Sequence, residues 1–231
     1  MKISIQSMVD KSLDAWANWQ DLGFEARAEI IQNWAKQLDK DAQAMVNFQC
    51  ENALQQVSQT IVMPGPTGES NELSCAGRGA FVISAEESSD LTAIAGQISA
   101  VLVTGNTVFI CLPETSKFSA ITLKNQLQTA GCPEGVVEAI DYKELNGIIS
   151  HTSVAGIAYA GNAENTQILA RTLAARDGLL AQLIAETDPQ LLPVVSSPTY
   201  AFRFITERTC TINITAVGGN AMLLELGSGE H

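Results

Sequence analysis

The chain has 231 residues, of which 46% are hydrophobic and 16% charged, enough for one large α/β domain with a substantial core and a small appendage. Its 25 acids against 13 bases give a formal charge of −12, which argues against nucleic acid or an anionic membrane face as a partner, because phosphate binding depends on Lys and Arg. No apolar run reaches the roughly 18 residues that a membrane helix needs, and the amino-terminus lacks a secretory apolar core.

The five cysteines, Cys50, Cys75, Cys111, Cys132 and Cys210, form no CxxC pair. An odd, scattered set argues against a disulfide framework or a zinc site. His151 and His231 are too few, and too far apart in sequence, to suggest a metal. A reduced, cytoplasmic protein is the expectation.

Residues 8–57 read as helices. Ile30, Ile31, Trp34 and Leu38 form one stripe, while Arg27, Glu29, Gln32 and Lys36 face elsewhere. Asp39, Asp41 and Ala42 mark a break and a fresh start. Trp16, Trp19 and Trp34 read as packing between helices. Residues 61–78, with Pro64, Gly65, Pro66 and Gly68, have the composition of a loop.

The stretch 81–113 organises the rest of the chain. Phe81–Ser84 is a short apolar strand, and Ser88, Ser89 and Asp90 can each cap a helix. Leu91, Ile94, Ala95, Ile98 and Leu102 repeat at helical spacing, and Thr107–Cys111 is a second strand. This βαβ unit implies a right-handed parallel crossover. The alternation continues with a helix over 115–130, a strand over 136–140, a short helix over 142–150, a strand over 154–160, a helix over 162–175 and a strand over 179–184. The fold class is therefore α/β, a Rossmann-like, doubly wound, mostly parallel sheet of about five strands over 79–187, preceded by amino-terminal helices over 1–60.

Residues 188–231 change character. Three prolines make 188–198 a linker. From Tyr200 to Thr215 the pattern has period two, with Tyr200, Phe202, Phe204, Ile212 and Ile214 on one face. This is a carboxyl-terminal β-hairpin arm turning near Glu207-Arg208, or one long ribbon. Its aromatic face has to dock on its own domain or on another subunit. Residues 216–229 are Gly-rich.

Four stretches resemble the aldehyde dehydrogenase superfamily, and more closely the pyrroline-5-carboxylate dehydrogenases of the proline utilisation A proteins. They are FEARAEIIQNWAKQL (24–38), GAFVISAEESS through AIAGQISAVLVTGNTVFICLP to LQTAGCPEGVVEAI, GIAYAGNAENTQILARTLAARDGLLAQLIAET (156–187), and FRFITERTCTINITAVGGNAMLLELG (202–227). The resemblance implies roles for particular positions. Glu186 matches the general base. Gly161 and Glu164 match the turn near the cofactor pyrophosphate. Cys111 falls at or next to the Lys that meets the adenosine ribose. Glu87 falls near the Asn that holds the oxyanion, where a donor is worth roughly 3–4 kcal/mol and a carboxylate repels the developing charge.

These positions read as vestigial. After Glu186 the family continues into a catalytic domain with a nucleophilic Cys, whereas this chain runs through a short Pro-rich segment to the arm. The expectation is a non-catalytic aldehyde-dehydrogenase-like domain associated with proline catabolism, holding no cofactor. It would act as a structural partner of a second copy or of a proline utilisation enzyme through Tyr200, Phe202, Phe204, Ile212 and Ile214. The alternative is an NAD-dependent 1-pyrroline-5-carboxylate dehydrogenase or an NAD-binding module, with the helix start at Asn162 holding an anion through backbone N–H groups. The bland form of that crevice is a relic filled by side chains such as Glu87.

Overall fold

A computed structural model describes residues 4–178 and 180–213. Leu179, Ile214, the Gly-rich segment and His231 lie outside these residues. Three helices open the chain, α1 (Ile5–Asp21), α2 (Gly23–Ala35) and α3 (Lys40–Gln56). Ser4 caps the first, and the Asp39 carboxylate caps the third by accepting from the Asp41 and Ala42 amides. That is the fresh start legible at Asp39.

The central sheet comprises β3 (Ala80–Ala85), β4 (Thr107–Cys111), β5 (Val137–Ala139), β6 (Val154–Ala160) and β7 (Gln182–Glu186) in the order β5-β4-β3-β6-β7, every neighbouring pair parallel. The crossovers are α4 (Leu91–Val103), α5 (Ala120–Thr129), the short α6 (Leu145–Ile149) and α7 (Ala163–Ala174). The sheet is thus doubly wound, and strand order reverses between β3 and β6, where open α/β sheets place their ligand crevice.

Each face of the sheet has its own core. Phe81, Ile83, Val108 and Ile110 pack with α2–α5 on one side, and Val82, Phe109, Ile157 and Tyr159 pack with α1, α6 and α7 on the other. Strand β3 is buried on both faces, so it reads as a continuous apolar run rather than an alternation.

The three tryptophans pack as expected and each also donates a hydrogen bond, Trp34 to Gln126 Oε1 at 3.4 Å. Trp19 donates to the Leu102 carbonyl (3.1 Å) and Trp16 to the Gly105 carbonyl (2.8 Å). Arg27, placed by the sequence on an outward face, is instead only 2% exposed. Its guanidinium donates to the carbonyls of Val103, Trp19 and Gln20 and lies over the Phe24 ring. Helix ends leave carbonyls without partners, and these side chains satisfy those at the ends of α1 and α4. Burial pulls the Arg27 pKa down to about 10, against the pull of Glu25.

Residues 61–78 are not a loop. They form β1 (Ile61–Met63) and β2 (Glu69–Gly77), and β8 (Ile205–Asn213) pairs with β2 along its whole length, giving the antiparallel sheet β1-β2-β8. The prolines and glycines that suggested a loop lie in the turn between β1 and β2. The carboxyl-terminal β arm is present, and over its described part it takes the long-ribbon form, with Glu207 and Arg208 in mid-strand opposite Cys75 and Ser74.

The arm's base is clasped by Asn106. Its side-chain oxygen accepts from the Arg78 and Gly79 amides (2.6 and 3.0 Å), and its nitrogen donates to the Phe204 carbonyl (3.0 Å). Gly77 sits so close to the Gly105 carbonyl that a Cβ would approach it to 2.6 Å. Among the described residues no helix is long and apolar enough to cross a membrane.

Candidate functional site

The loops after β3 and β6 meet at the switch point and line a pocket of about 120 Å³ with Glu86, Ser89, Asp90, Gly161, Asn162 and Glu186. Ser89 fixes the first loop by donating to the Ala160 carbonyl (2.9 Å), while the Glu86 amide donates to the same oxygen (2.9 Å).

The side chain that fills this crevice is Glu86, not Glu87. Glu87 is exposed and does not line the pocket. Glu86 Oε1 accepts from the Tyr159 hydroxyl (3.0 Å), from Asn165 Nδ2 (2.8 Å) and from Asn162 Nδ2. Asn162 and Asn165 are the cap and the third residue of α7, so a carboxylate already stands at the positive end of that helix. Burial first, then the bond to Glu86, pushes the Tyr159 hydroxyl pKa up. Gly161 lies beneath this cluster, and a Cβ there would collide with the Tyr159 oxygen and come within 2.7 Å of Glu86 Cγ.

Glu186 ends β7 and is 3% exposed. Its carboxylate is turned into the segment that follows it. Oε1 accepts from the Asp188 amide (3.1 Å), and Oε2 accepts from the amides of Val194 (2.8 Å) and Val195 (3.1 Å). Residues 187–195 therefore fold over the carboxyl end of β7 as a strap. Pro189 and Leu192 of the strap complete the pocket wall. Leu192 adopts φ 48°, the left-handed region that a Leu enters only when its surroundings over-determine it.

The remaining positions scatter. Cys111 is fully buried at the end of β4, 3.7 Å from the Asp141 carbonyl oxygen, and burial pushes its thiol up to about 12. Glu164 is exposed in the first turn of α7. A second, shallower crevice of about 440 Å³ opens beyond β4 and β5, and its wall carries Glu114, Asp141 and Tyr142. Lys143 nearby is paired with Glu114 at 3.1 Å. Among the described residues, the walls of the two crevices carry no Lys or Arg for a pyrophosphate or a ribose phosphate.

The five cysteines lie apart. Burial also holds Cys50 and Cys132 at about 12, and Cys210 is exposed on β8. Among the described residues no group of three or more His, Cys, Asp or Glu is placed to hold a metal ion. His151 caps a turn, its Nδ1 accepting from the Ser153 amide (3.2 Å).

The expected interface face is divided. Tyr200 and Phe204 are fully buried in the domain's own core, stacked edge-on at 5.0 Å, with Phe204 edge-on to Phe81 at 5.2 Å. They occupy a 3-10 turn (Tyr200–Phe204) in which the period-two alternation does not apply. Phe202 and Ile212 are exposed.

Sequence reasoning missed the Glu86–Tyr159–Asn162–Asn165 cluster. Glu86 is one residue from the position that the resemblance singles out, and the remaining signal is the pair of asparagines spaced as cap and third residue of a helix.

Residues 90–190 match the aldehyde dehydrogenase family. The bifunctional PutA protein of Escherichia coli K12 is 28% identical over 176 residues, covering 75% of this chain and 12% of the relative. That of Rhizobium meliloti is 28% identical over 219 residues, covering 94% of this chain and 15% of the relative. The chain thus spans less than a sixth of the curated relatives' length. A proline utilization A structure with proline bound in remote sites superposes with a TM-score of 0.71 at 25% identity, over 82% of this chain and 23% of that one. The strand order, the crossovers and these likenesses agree: residues 90–190 are similar to the aldehyde dehydrogenase family, and the chain as a whole is similar to parts of proline utilization A proteins.

Proposed function

We propose that this chain is a non-catalytic aldehyde-dehydrogenase-like domain that serves proline catabolism as a structural partner, presenting its β arm to another chain. The observation that carries the reading is the state of Glu186. At the general-base position, the carboxylate is buried and committed to three backbone amides of the strap. A base must be free to take the proton it removes, and both oxygens of this carboxylate already accept from amides of its own chain.

The surroundings support the same reading. A dinucleotide brings a pyrophosphate to the switch point, and there the Glu86 carboxylate already receives the α7 cap donors. The residues present therefore do not fit NAD. A thiol buried among apolar side chains is a poor nucleophile, which sets aside Cys50, Cys111 and Cys132.

Isothermal titration with NAD and NADH tests the proposal. The expected result is no saturable heat. Saturable binding, together with turnover of glutamate semialdehyde that a single Cys→Ala change abolishes, would overturn it in favour of a dehydrogenase. Co-purification with a proline utilisation enzyme tests the partner role. Because Tyr200 and Phe204 belong to the core, the arm has to be probed by substitutions on β8 and not by truncation at 199.

A further inference from the structure

The central sheet has another opening, at its amino end and away from the switch point. A cleft of about 540 Å³ lies where β3 and β6 begin, and its wall carries Arg78, Thr152, Ser153 and Arg176. Its size is that of a small-molecule site. Among the described residues no Asp or Glu lines it. The two crevices at the carboxyl end are the reverse, with acids on their walls and neither Lys nor Arg. In a chain of 25 acids and 13 bases, two arginines on an acid-free wall create a local positive field.

The backbone fixes Arg78. It stands between Gly77 and Gly79, in the corner where β2 of the arm passes into β3. Gly77 has no room for a Cβ, Gly79 adopts φ 130°, and the Arg78 amide donates to the buried Asn106 (2.6 Å). The side chain is steered from β7. Gln182 donates its amide nitrogen to the Arg203 carbonyl (2.6 Å), and its oxygen accepts from Arg78 Nη1 (3.3 Å). Among the described residues no carboxylate pairs with Arg78. Arg176 has a different part. Its Nη1 donates to the carbonyls of Ile149 (3.2 Å) and His151 (2.8 Å), and its Nη2 to that of Val154 (2.8 Å). Carbonyls hold the guanidinium in place without cancelling its charge. They also fix the turn from His151 to Val154, which leaves Thr152 and Ser153 exposed. A guanidinium fork, two hydroxyl donors and a second fixed positive charge, with no acid on the wall, make a donor set for an oxyanion.

We propose that this cleft binds a small oxyanion, a carboxylate or phosphate group, with Arg78 donating to it and Thr152 and Ser153 completing the contact. The site lies outside the switch-point pocket and goes beyond the scaffold reading. Titration calorimetry of the whole chain at low ionic strength tests it, with inorganic phosphate and, separately, succinate as probes. Binding at one site per chain is expected, weakening as salt is added. Saturation by phosphate assigns the cleft to phosphoryl ligands and saturation by succinate to carboxylates, and either supports the proposal. Arg78→Gln should weaken binding at least tenfold. Arg78→Lys keeps the charge but loses the fork, and should recover only part of the affinity. Thr152→Ala, on an exposed turn that does not depend on the Gly-Arg-Gly corner, should weaken binding severalfold. Lys143→Gln removes the same charge at the other end of the sheet and should leave binding as it is. No saturable heat from either probe at tens of millimolar, or binding that survives both Arg78→Gln and Thr152→Ala, overturns the inference. Heat from NAD that survives Arg78→Gln belongs to the switch-point pocket and counts against the scaffold reading alone.

Discussion

At the scale of single residues, Glu186 separates a catalytic from a structural carboxylate. Three amides converge on it, and a hydrogen bond to a charged acceptor contributes about 1.5–3 kcal/mol. Glu186→Gln keeps the volume but turns an NH2 group toward backbone donors. It should cost about 2–3 kcal/mol in urea unfolding, whereas Glu87→Gln, on an exposed side chain, should stay within about 0.5 kcal/mol. Equal effects would mean that the strap does not depend on the carboxylate.

The buried thiols give a second residue-scale expectation. Cys50, Cys111 and Cys132 are held at about 12, against an ordinary 9.0. Unfolding lets them ionise, so the unfolded chain binds fewer protons above pH 9 and stability falls as pH rises. Each thiol should remove about 1 kcal/mol between pH 9 and 10. Tyr142, Tyr159 and Tyr200, pushed up by burial, add to the loss toward pH 10, and Arg27, lowered to about 10, offsets part of it there. Cys132→Ala should reduce the loss by about 1 kcal/mol, measured as unfolding free energy at the two pH values. In the native state at pH 8 a disulfide reagent should find Cys210 fast and the three buried thiols only on unfolding.

At the scale of elements, α4 is the centre of the structure, with twelve of its thirteen residues buried. Its Gly96 lets α3 and the strap approach, since a Cβ there would come within 2.5 Å of Val195 Cγ1 and 2.8 Å of Met45 Cγ. Met45 can yield, but the β-branched Val195 is fixed by its amide on Glu186 and by its carbonyl, which accepts from Gln49 at 2.5 Å. Gly96→Ala should therefore destabilise by about 1–3 kcal/mol, the usual cost of overpacking, despite the better helix propensity of alanine. Thermal melts of the two proteins decide the sign.

The same elements explain what was legible. β3, α4 and β4 announce themselves because apolar periodicity, an Asp90 at the N-cap position and the Thr-Gly-Asn stop all agree. β2 did not, because Glu69, Ser70, Asn71 and Glu72 become a strand only when β8, far downstream, pairs with them. Tyr200 and Phe204 alternate like a strand yet form a 3-10 turn, because the core beside Phe81 had room for two rings. At the site, the position of Glu186 was readable from the resemblance. Its commitment to Val194 and Val195 was not, since strap amides carry no sequence signature.

At the scale of the molecule, the arm and the domain are joined through few contacts. Strands β2 and β8 are mostly half-buried or exposed, whereas the central sheet is closed on both faces. Local opening follows contact density and solvent access, so the arm's amides should exchange with deuterium well before those of β3, β4 and β6. Asn106 sets how far that opening spreads toward the core. It is fully buried and holds the Arg78 and Gly79 amides on one side and the Phe204 carbonyl on the other, so it ties both arm strands to the end of α4. Asn106→Ala strands these groups without partners and should cost about 2–4 kcal/mol globally. Its exchange signature is more specific. Amides at the base of the arm, Cys75–Gly77 and Ile205–Glu207, should lose protection beyond the global change, while those of β3 should follow the global change alone. Uniform loss across both sheets would mean that arm and domain unfold as a single cooperative unit, with Asn106 serving only the core.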